Sequence, residues 1–187
     1  MKMMLLIQHL DNYILLCIKN NMHGHIMDRA MVIITYLGNG GFIWILIAAL
    51  LMSNKKYRNI GFMALGALML STILCEGILK HVVQRIRPSA YIPAVNLLIS
   101  KPLSYSFPSG HAASSFAAAG VLVKYFKSYA LEFFSLAFLI AFSRLYLYVH
   151  YPTDVLAGII LGLICSKITI YMFSRVSQHI TVTMKKR

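Results

Sequence analysis

The feature that most constrains this chain is a series of apolar runs, each about as long as a bilayer is thick, separated by short stretches that hold most of the charge. A helix needs roughly 20 apolar residues to cross a bilayer, and every backbone N–H and C=O within lipid must find its partner inside the protein. Such runs fall at about residues 26–52, 60–79, 109–125, 130–149 and 152–173. With 187 residues, 59% hydrophobic content and a mean hydropathy of +0.71, the chain has the length of one domain and is far too apolar for a soluble globule. The expected fold class is therefore all-α, a polytopic transmembrane helix bundle with five or six membrane helices and an N-terminal amphipathic helix.

The expected organisation is one membrane-embedded domain over residues 1–187. It comprises an interfacial segment (1–25), the helix bundle (26–175) and a basic tail (176–187). Gln8, His9, Asp11 and Asn12 interrupt the first apolar stretch and no small-residue cleavage site follows, so residues 1–21 read as an interfacial helix, with a short span as the alternative. Gly38-Asn39-Gly40-Gly41 breaks the first long run, as a kink or a re-entrant corner. Arg85, Arg87, Pro88, Pro93, Lys101 and Pro102 exclude a spanning helix between His81 and Phe107, which makes this the longest loop. The third run carries Ala112, Ala113, Ser114, Ser115, Ala117, Ala118, Ala119 and Gly120, and small residues of this kind place a helix at the centre of a membrane bundle.

Eighteen Lys and Arg against five Asp and Glu give a formal charge of +13, a balance that suits nucleic acid, anionic lipid or a phosphorylated substrate. The hydropathy selects the bilayer and a lipid partner over nucleic acid. Cys17, Cys75 and Cys165 are scattered singly and read as small apolar fillers, while His23 and His25 lack a third ligand, so no metal or other cofactor is expected. If the spans alternate, Lys55–Arg58, Lys124–Lys127 and the basic C-terminus share one side, which the positive-inside rule assigns to the cytoplasm. The loops on the other side would then face outward from the cell membrane.

Three stretches on that outward side carry the chemistry. Lys80 and Arg87 are seven residues apart, so on a helix prolonged beyond the membrane they share a face and converge on one anion, with Pro88 fixing where the arginine sits; snorkelling at a helix end is the plainer alternative. Glu76, one turn before Lys80, forms a local ion pair with it. In Pro108-Ser109-Gly110-His111, Ser109 caps the third run, Gly110 lets an anion approach the backbone, and His111 is placed to donate a proton; it also reads as an interfacial histidine. In Ser143-Arg144 through His150 and Asp154, Arg144 can clamp phosphate oxygens and His150 can attack phosphorus while Asp154 orients its ring. A helix cap is the alternative for Asp154. Tyr146, Tyr148 and Tyr151 are expected in an interfacial aromatic belt.

In this order and spacing, Lys80-x6-Arg87-Pro88, Pro108-Ser109-Gly110-His111 and Ser143-Arg144-x5-His150-x3-Asp154 resemble the three signature motifs of the type 2 phosphatidic acid phosphatase superfamily, whose fold is shared with haloperoxidases. The resemblance implies a metal-independent hydrolase of lipid phosphates or diphosphates. It implies His150 as the nucleophile that forms a phosphohistidine, Asp154 as its orienting carboxylate and His111 as acid and then base. Lys80, Arg87, Ser109, Gly110 and Arg144 would bind the phosphoryl oxygens. Undecaprenyl diphosphate, the carrier lipid of cell-wall synthesis, is the expected substrate, with phosphatidylglycerophosphate or phosphatidic acid as the alternative. A non-catalytic transporter or scaffold on the same fold is the reading from a different class. The sequence carries no signal for an oligomeric state.

Overall fold

The computed structural model of the chain describes residues 2–93 and 97–185, and contains helices and no strand among the described residues. Eight α-helices follow in order: α1 (Lys2–Asn21), α2 (His25–Gly38), α3 (Phe42–Ser53), α4 (Arg58–Thr72), α5 (Lys80–Val83), α6 (Gly110–Tyr125), α7 (Ala130–Tyr146) and α8 (Pro152–Lys185). Among the described residues, four stretches are long and apolar enough to cross a membrane: His25–Ser53, Arg58–Val83, Lys127–Tyr146 and Pro152–Arg175. The chain is accordingly a membrane protein. Their outward faces remain apolar, as Phe42, Leu50, Met69, Ile73, Phe138, Leu156 and Ile160 are exposed.

The helix breaks have local causes. Gly40 and Gly41 adopt left-handed backbone angles (φ 58° and 74°), which glycine reaches without a Cβ clash, so the Gly-Asn-Gly-Gly stretch is a tight turn that kinks α2 against α3. Between α4 and α5 the turns widen over Ile73–Leu79 into a π-helical segment, a device found often beside functional sites. Gln84 (φ 50°) then ends α5. The expectation that Lys80 and Arg87 share the face of one helix is therefore corrected, because the helix stops at Val83 and Arg87 lies in the chain that follows.

α6 is the centre of the bundle, as its small residues predict. It has sixteen residues, about 24 Å of helix, and Ala112, Ala113, Ser115, Ala117, Ala118, Ala119 and Val121 are almost completely buried. Its most extensive packing is against α8, with α4 and α7 on other sides. The approach to α8 is close enough that a Cβ at Gly158 would come within 2.6 Å of the Ser109 carbonyl, and one at Gly162 would collide with Ala113 O and Ala117 N. Trp44 on α3 is fully buried and donates to Ser115 Oγ at 3.0 Å, so the one indole in the chain joins the same core.

α1 is helical as expected and exposes most of its surface. Asp11, Leu15 and Ile18, at i, i+4 and i+7, are its buried stripe and face α7 and α8. Cys75 and Cys165 are buried and Cys17 is partly buried. The α6–α8 contact gives a direct test. Gly162→Val should lower the thermal unfolding midpoint of the detergent-solubilised protein, since overpacking a tight contact costs about 1–3 kcal/mol. An unchanged midpoint would mean the helices stand further apart.

Candidate active site

The three sequence stretches meet at one end of the bundle, where α5 ends, α6 begins, α7 ends and α8 begins. Lys80 is buried and pairs with Glu76 at 2.7 Å, the expected i, i+4 contact, while its Nζ also donates to Ser104 Oγ at 3.0 Å. Arg87 comes to the same serine from outside the helix. Its Nε donates to Ser104 O at 2.7 Å and its Nη2 to Ser104 Oγ at 3.1 Å and Tyr105 O at 3.0 Å. Ser104 thus joins the two cations that helical spacing alone does not bring together.

Arg87 Nη1 donates to Val149 O at 2.8 Å and lies 2.8 Å from His150 Nε2. A guanidinium has no acceptor, so Nε2 offers its lone pair to Arg87 and the ring proton of the neutral imidazole sits on Nδ1. Nδ1 faces Asp154 Oδ2 at 3.7 Å, and it is a buried nitrogen that makes no hydrogen bond. Asp154 itself is completely buried. Its Oδ2 accepts from Ser106 Oγ and from Tyr151 N at 2.9 Å, and its Oδ1 accepts from Arg85 Nη1 at 2.7 Å. This places an imidazole with an unprotonated Nε2 between a cation and an anion, the protonation state a nitrogen nucleophile needs.

Arg144 is buried and reaches across to Thr35 Oγ1 on α2, while its Nε makes no hydrogen bond. Arg87 and Arg144 have no carboxylate partner among the described residues. Burial pushes Arg87 down to about 10, which still leaves it charged at neutral pH. Two buried guanidiniums that make no direct salt bridge among the described residues, beside a histidine, form a place that favours an anion.

Ser109 caps α6 through Ala112 N at 3.4 Å, and its own amide donates to Asp154 O at 3.0 Å. It is fully buried, with both groups engaged inside the fold. Gly110 and His111 instead open on a cavity of about 290 Å³ shared with Ser71, Thr72, Glu76 and Gly41. A Cβ at Gly110 would come within 2.6 Å of Glu76 Oε1, so only glycine leaves that carboxylate where it stands. His111 Nε2 lies 2.9 Å from Asn39 Oδ1 in the turn between α2 and α3. The cavity reaches His111 but does not include His150, so the two histidines have separate surroundings.

The eight residues singled out in the sequence all lie at this end. Those that sequence reasoning missed are supporting groups: Arg85, Ser104, Ser106, Thr35, Asn39 and Asp11. Arg85 left a trace as an extra cation between Lys80 and Arg87, and Asp11 and Asn39 as polar breaks in apolar runs. Two of the three tyrosines expected in an aromatic belt are packed inside, while Tyr148 stays partly exposed. Tyr146 is buried, donates to Asp28 and stacks on His23 at 4.3 Å, and Tyr151 is buried beneath the Arg85 guanidinium at 4.0 Å.

His150 is pushed down to about 3, chiefly because burial disfavours the charged ring. In a sample labelled with 15N-histidine, with His150→Ala to identify the resonance, its ring should keep one protonated and one bare nitrogen from about pH 8 to about pH 5. A titration midpoint near the ordinary 6.5 would contradict this environment.

Comparison with known proteins matches residues 61–178 to the PAP2 superfamily. An undecaprenyl-diphosphatase of Sulfolobus acidocaldarius is 34% identical over 137 residues, which cover 73% of this chain and 66% of that protein. Phosphatidylglycerophosphatase B of Bacillus subtilis is 33% identical over 151 residues, covering 74% of this chain and 71% of the relative. The chain thus spans about two thirds of the length of these curated relatives. Among solved structures, Aquifex aeolicus LpxE superposes with a TM-score of 0.75 at 33% identity, over 87% of this chain and 95% of that one. The PAP2-type phosphatidylglycerolphosphate phosphatase of Bacillus subtilis gives 0.74 at 26% identity, over 90% and 87%. With well over half its length matched and its three motif stretches gathered at one end of the shared fold, the chain belongs to the PAP2 superfamily.

Proposed function

We propose that this protein is a membrane lipid phosphatase that cleaves undecaprenyl diphosphate or a closely similar polyprenyl diphosphate through a phosphohistidine. The observation that carries the reading is the His150 ring, whose Nε2 is bare and 2.8 Å from an arginine while Nδ1 faces a buried carboxylate. Arg87 and Arg144 draw the terminal phosphoryl group to Nε2. The nitrogen forms a bond to phosphorus as the bond from phosphorus to the lipid-side oxygen breaks, and the cations stabilise charge on the equatorial oxygens. His111 gives a proton to the departing oxygen from the cavity side. It then takes one from a water, which attacks phosphorus, releases phosphate and restores His150. Asp154 orients the ring through Nδ1–H and does not itself accept the proton. Lys80 and the Gly110 backbone complete the phosphate cradle, with Ser109 supporting it as the α6 cap.

The diphosphate substrate rests on likeness to the Sulfolobus undecaprenyl-diphosphatase. Phosphatidylglycerophosphate is the second reading, favoured by the Bacillus relative and by its solved structural counterpart. Membership of the plasma membrane with an outward-facing site is supported by charge. Lys55, Lys56 and Arg58 precede or open α4, Lys124 lies in the last turn of α6 and Lys127 follows it, so these cations lie at the helix ends opposite the site.

Purified protein in detergent with excess chelator should release phosphate from undecaprenyl diphosphate faster than from phosphatidylglycerophosphate or phosphatidic acid. His150→Ala should reduce turnover to background. A glycerolipid preference would move the protein to phospholipid metabolism, and no release from any substrate would leave a non-catalytic membrane protein. For orientation, Leu103 is fully exposed in the loop beside the site. Leu103→Cys, in a chain whose native cysteines are replaced, should react with an impermeant thiol reagent on intact cells. Labelling only after lysis would place the site in the cytoplasm.

A further inference from the structure

Arg85 has no part in the steps above, yet it makes a dense set of bonds beside them. Its Nη1 donates to Thr153 Oγ1 at 2.8 Å and Asp154 Oδ1 at 2.7 Å, and its Nη2 to Gln8 Oε1 at 2.7 Å and Asp11 Oδ2 at 2.6 Å. Tyr151 closes one face of the guanidinium. Asp11 is just 1% exposed. Its Oδ1 accepts from Thr153 N at 3.0 Å and its Oδ2 from Thr153 Oγ1 at 2.6 Å, so α1 supplies an acceptor for an amide in the first turn of α8. That turn carries Asp154.

The two oxygens of Asp154 are held differently. Oδ2 is fixed by Ser106 and the Tyr151 amide, whereas Oδ1 has Arg85 as its hydrogen-bond partner among the described residues. With Arg85 gone, the carboxylate loses the contact that sets its plane, while its distance to His150 Nδ1 is already 3.7 Å. Arg85 also balances the charge of Asp154, which keeps the carboxylate from drawing the ring proton wholly away. We infer that Arg85 is a positioning residue that holds Asp154 to His150, and that α1 sets Arg85 in place through Asp11 and Gln8. This rests on the phosphatase reading above. It assigns a part in the reaction to a helix that precedes residues 61–178, the region that matches the family.

The alternative is a structural ion pair that merely fastens α1, and kinetics separate the two. Wild type, Arg85→Gln, Arg85→Lys, Asp11→Asn and His150→Ala are purified as full chains, and kcat, KM and the inhibition constant of inorganic phosphate are measured for each. Arg85→Gln should lower kcat by about 10- to 100-fold, the usual cost of losing a group that orients a reacting side chain, with KM and the phosphate constant within about twofold of wild type. Asp11→Asn, nearly isosteric, should give a smaller fall of the same kind, and Arg85→Lys should recover part of the loss by restoring charge. If Arg85→Gln does not survive purification, Asp11→Asn and Arg85→Lys carry the same test. A kcat within about twofold of wild type in the surviving variants, or a loss of phosphate affinity parallel to the loss of kcat, overturns the inference. No release by wild type would sink the phosphatase reading and this inference with it, whereas an active wild type with unaffected variants sinks the inference alone.

Discussion

The organising constraint in this molecule is a surplus of buried positive charge at one end of an apolar bundle. A guanidinium taken out of water must direct its N–H groups at oxygens or other acceptors, or the fold loses several kcal/mol. Arg87 meets that demand with backbone carbonyls, a serine and the His150 ring. Arg144 meets it in part with Thr35, leaving Nε unbonded. Neither makes a direct salt bridge among the described residues, in contrast to Lys80 on Glu76 and Arg85 on Asp11 and Asp154. This end of the bundle therefore contains two kinds of cation, one pair in direct salt bridges and one pair, Arg87 and Arg144, outside them among the described residues. That division sets this end of the bundle apart from a cluster of snorkelling side chains.

The packing of α6 makes the division possible. Because its side chains are mostly alanine and serine, α8 can approach it at Gly158 and Gly162, and the first turns of the two helices lie side by side. The Ser109 amide then bonds the Asp154 carbonyl, which joins the second and third motif stretches through the backbone itself. His111 opens on a cavity and His150 is enclosed between Arg87 and Asp154, so the two rings differ in exposure.

The loop from Gln84 to Pro108 shows how an irregular segment serves this frame. It returns Arg87 toward Lys80 and sends Ser104 and Ser106 to opposite parts of the site, one joining the two cations and the other bonding Asp154. The Ser106 amide closes the arrangement on the Arg85 carbonyl at 2.8 Å. Lys80, Arg87 and Asp154 are thus tied to one loop.

Much of this was legible in the residues. Hydropathy and run length determined an all-helical membrane protein, because a backbone in lipid has few other ways to satisfy its hydrogen bonds. The small residues of α6 announced its central place, and Lys80, Arg87, His111, Arg144, His150 and Asp154 stood out because charge and imidazole are costly in an apolar chain. Their bonds were decided elsewhere. Helical spacing suggested that Lys80 and Arg87 meet on one face, but Gln84 ends the helix and Ser104, seventeen residues beyond Arg87, makes the junction. Thr35, Asn39 and Asp11 are ordinary polar residues in the sequence, and they acquire meaning only when α2 and α1 cross the mouth of the bundle. Local composition determines what a segment can be and where its polar cost must be met. Which distant groups meet that cost depends on contacts across 69 to 142 positions of sequence, as between Arg85 and Asp154 or Asp11 and Thr153, and these arise only from the packed tertiary structure.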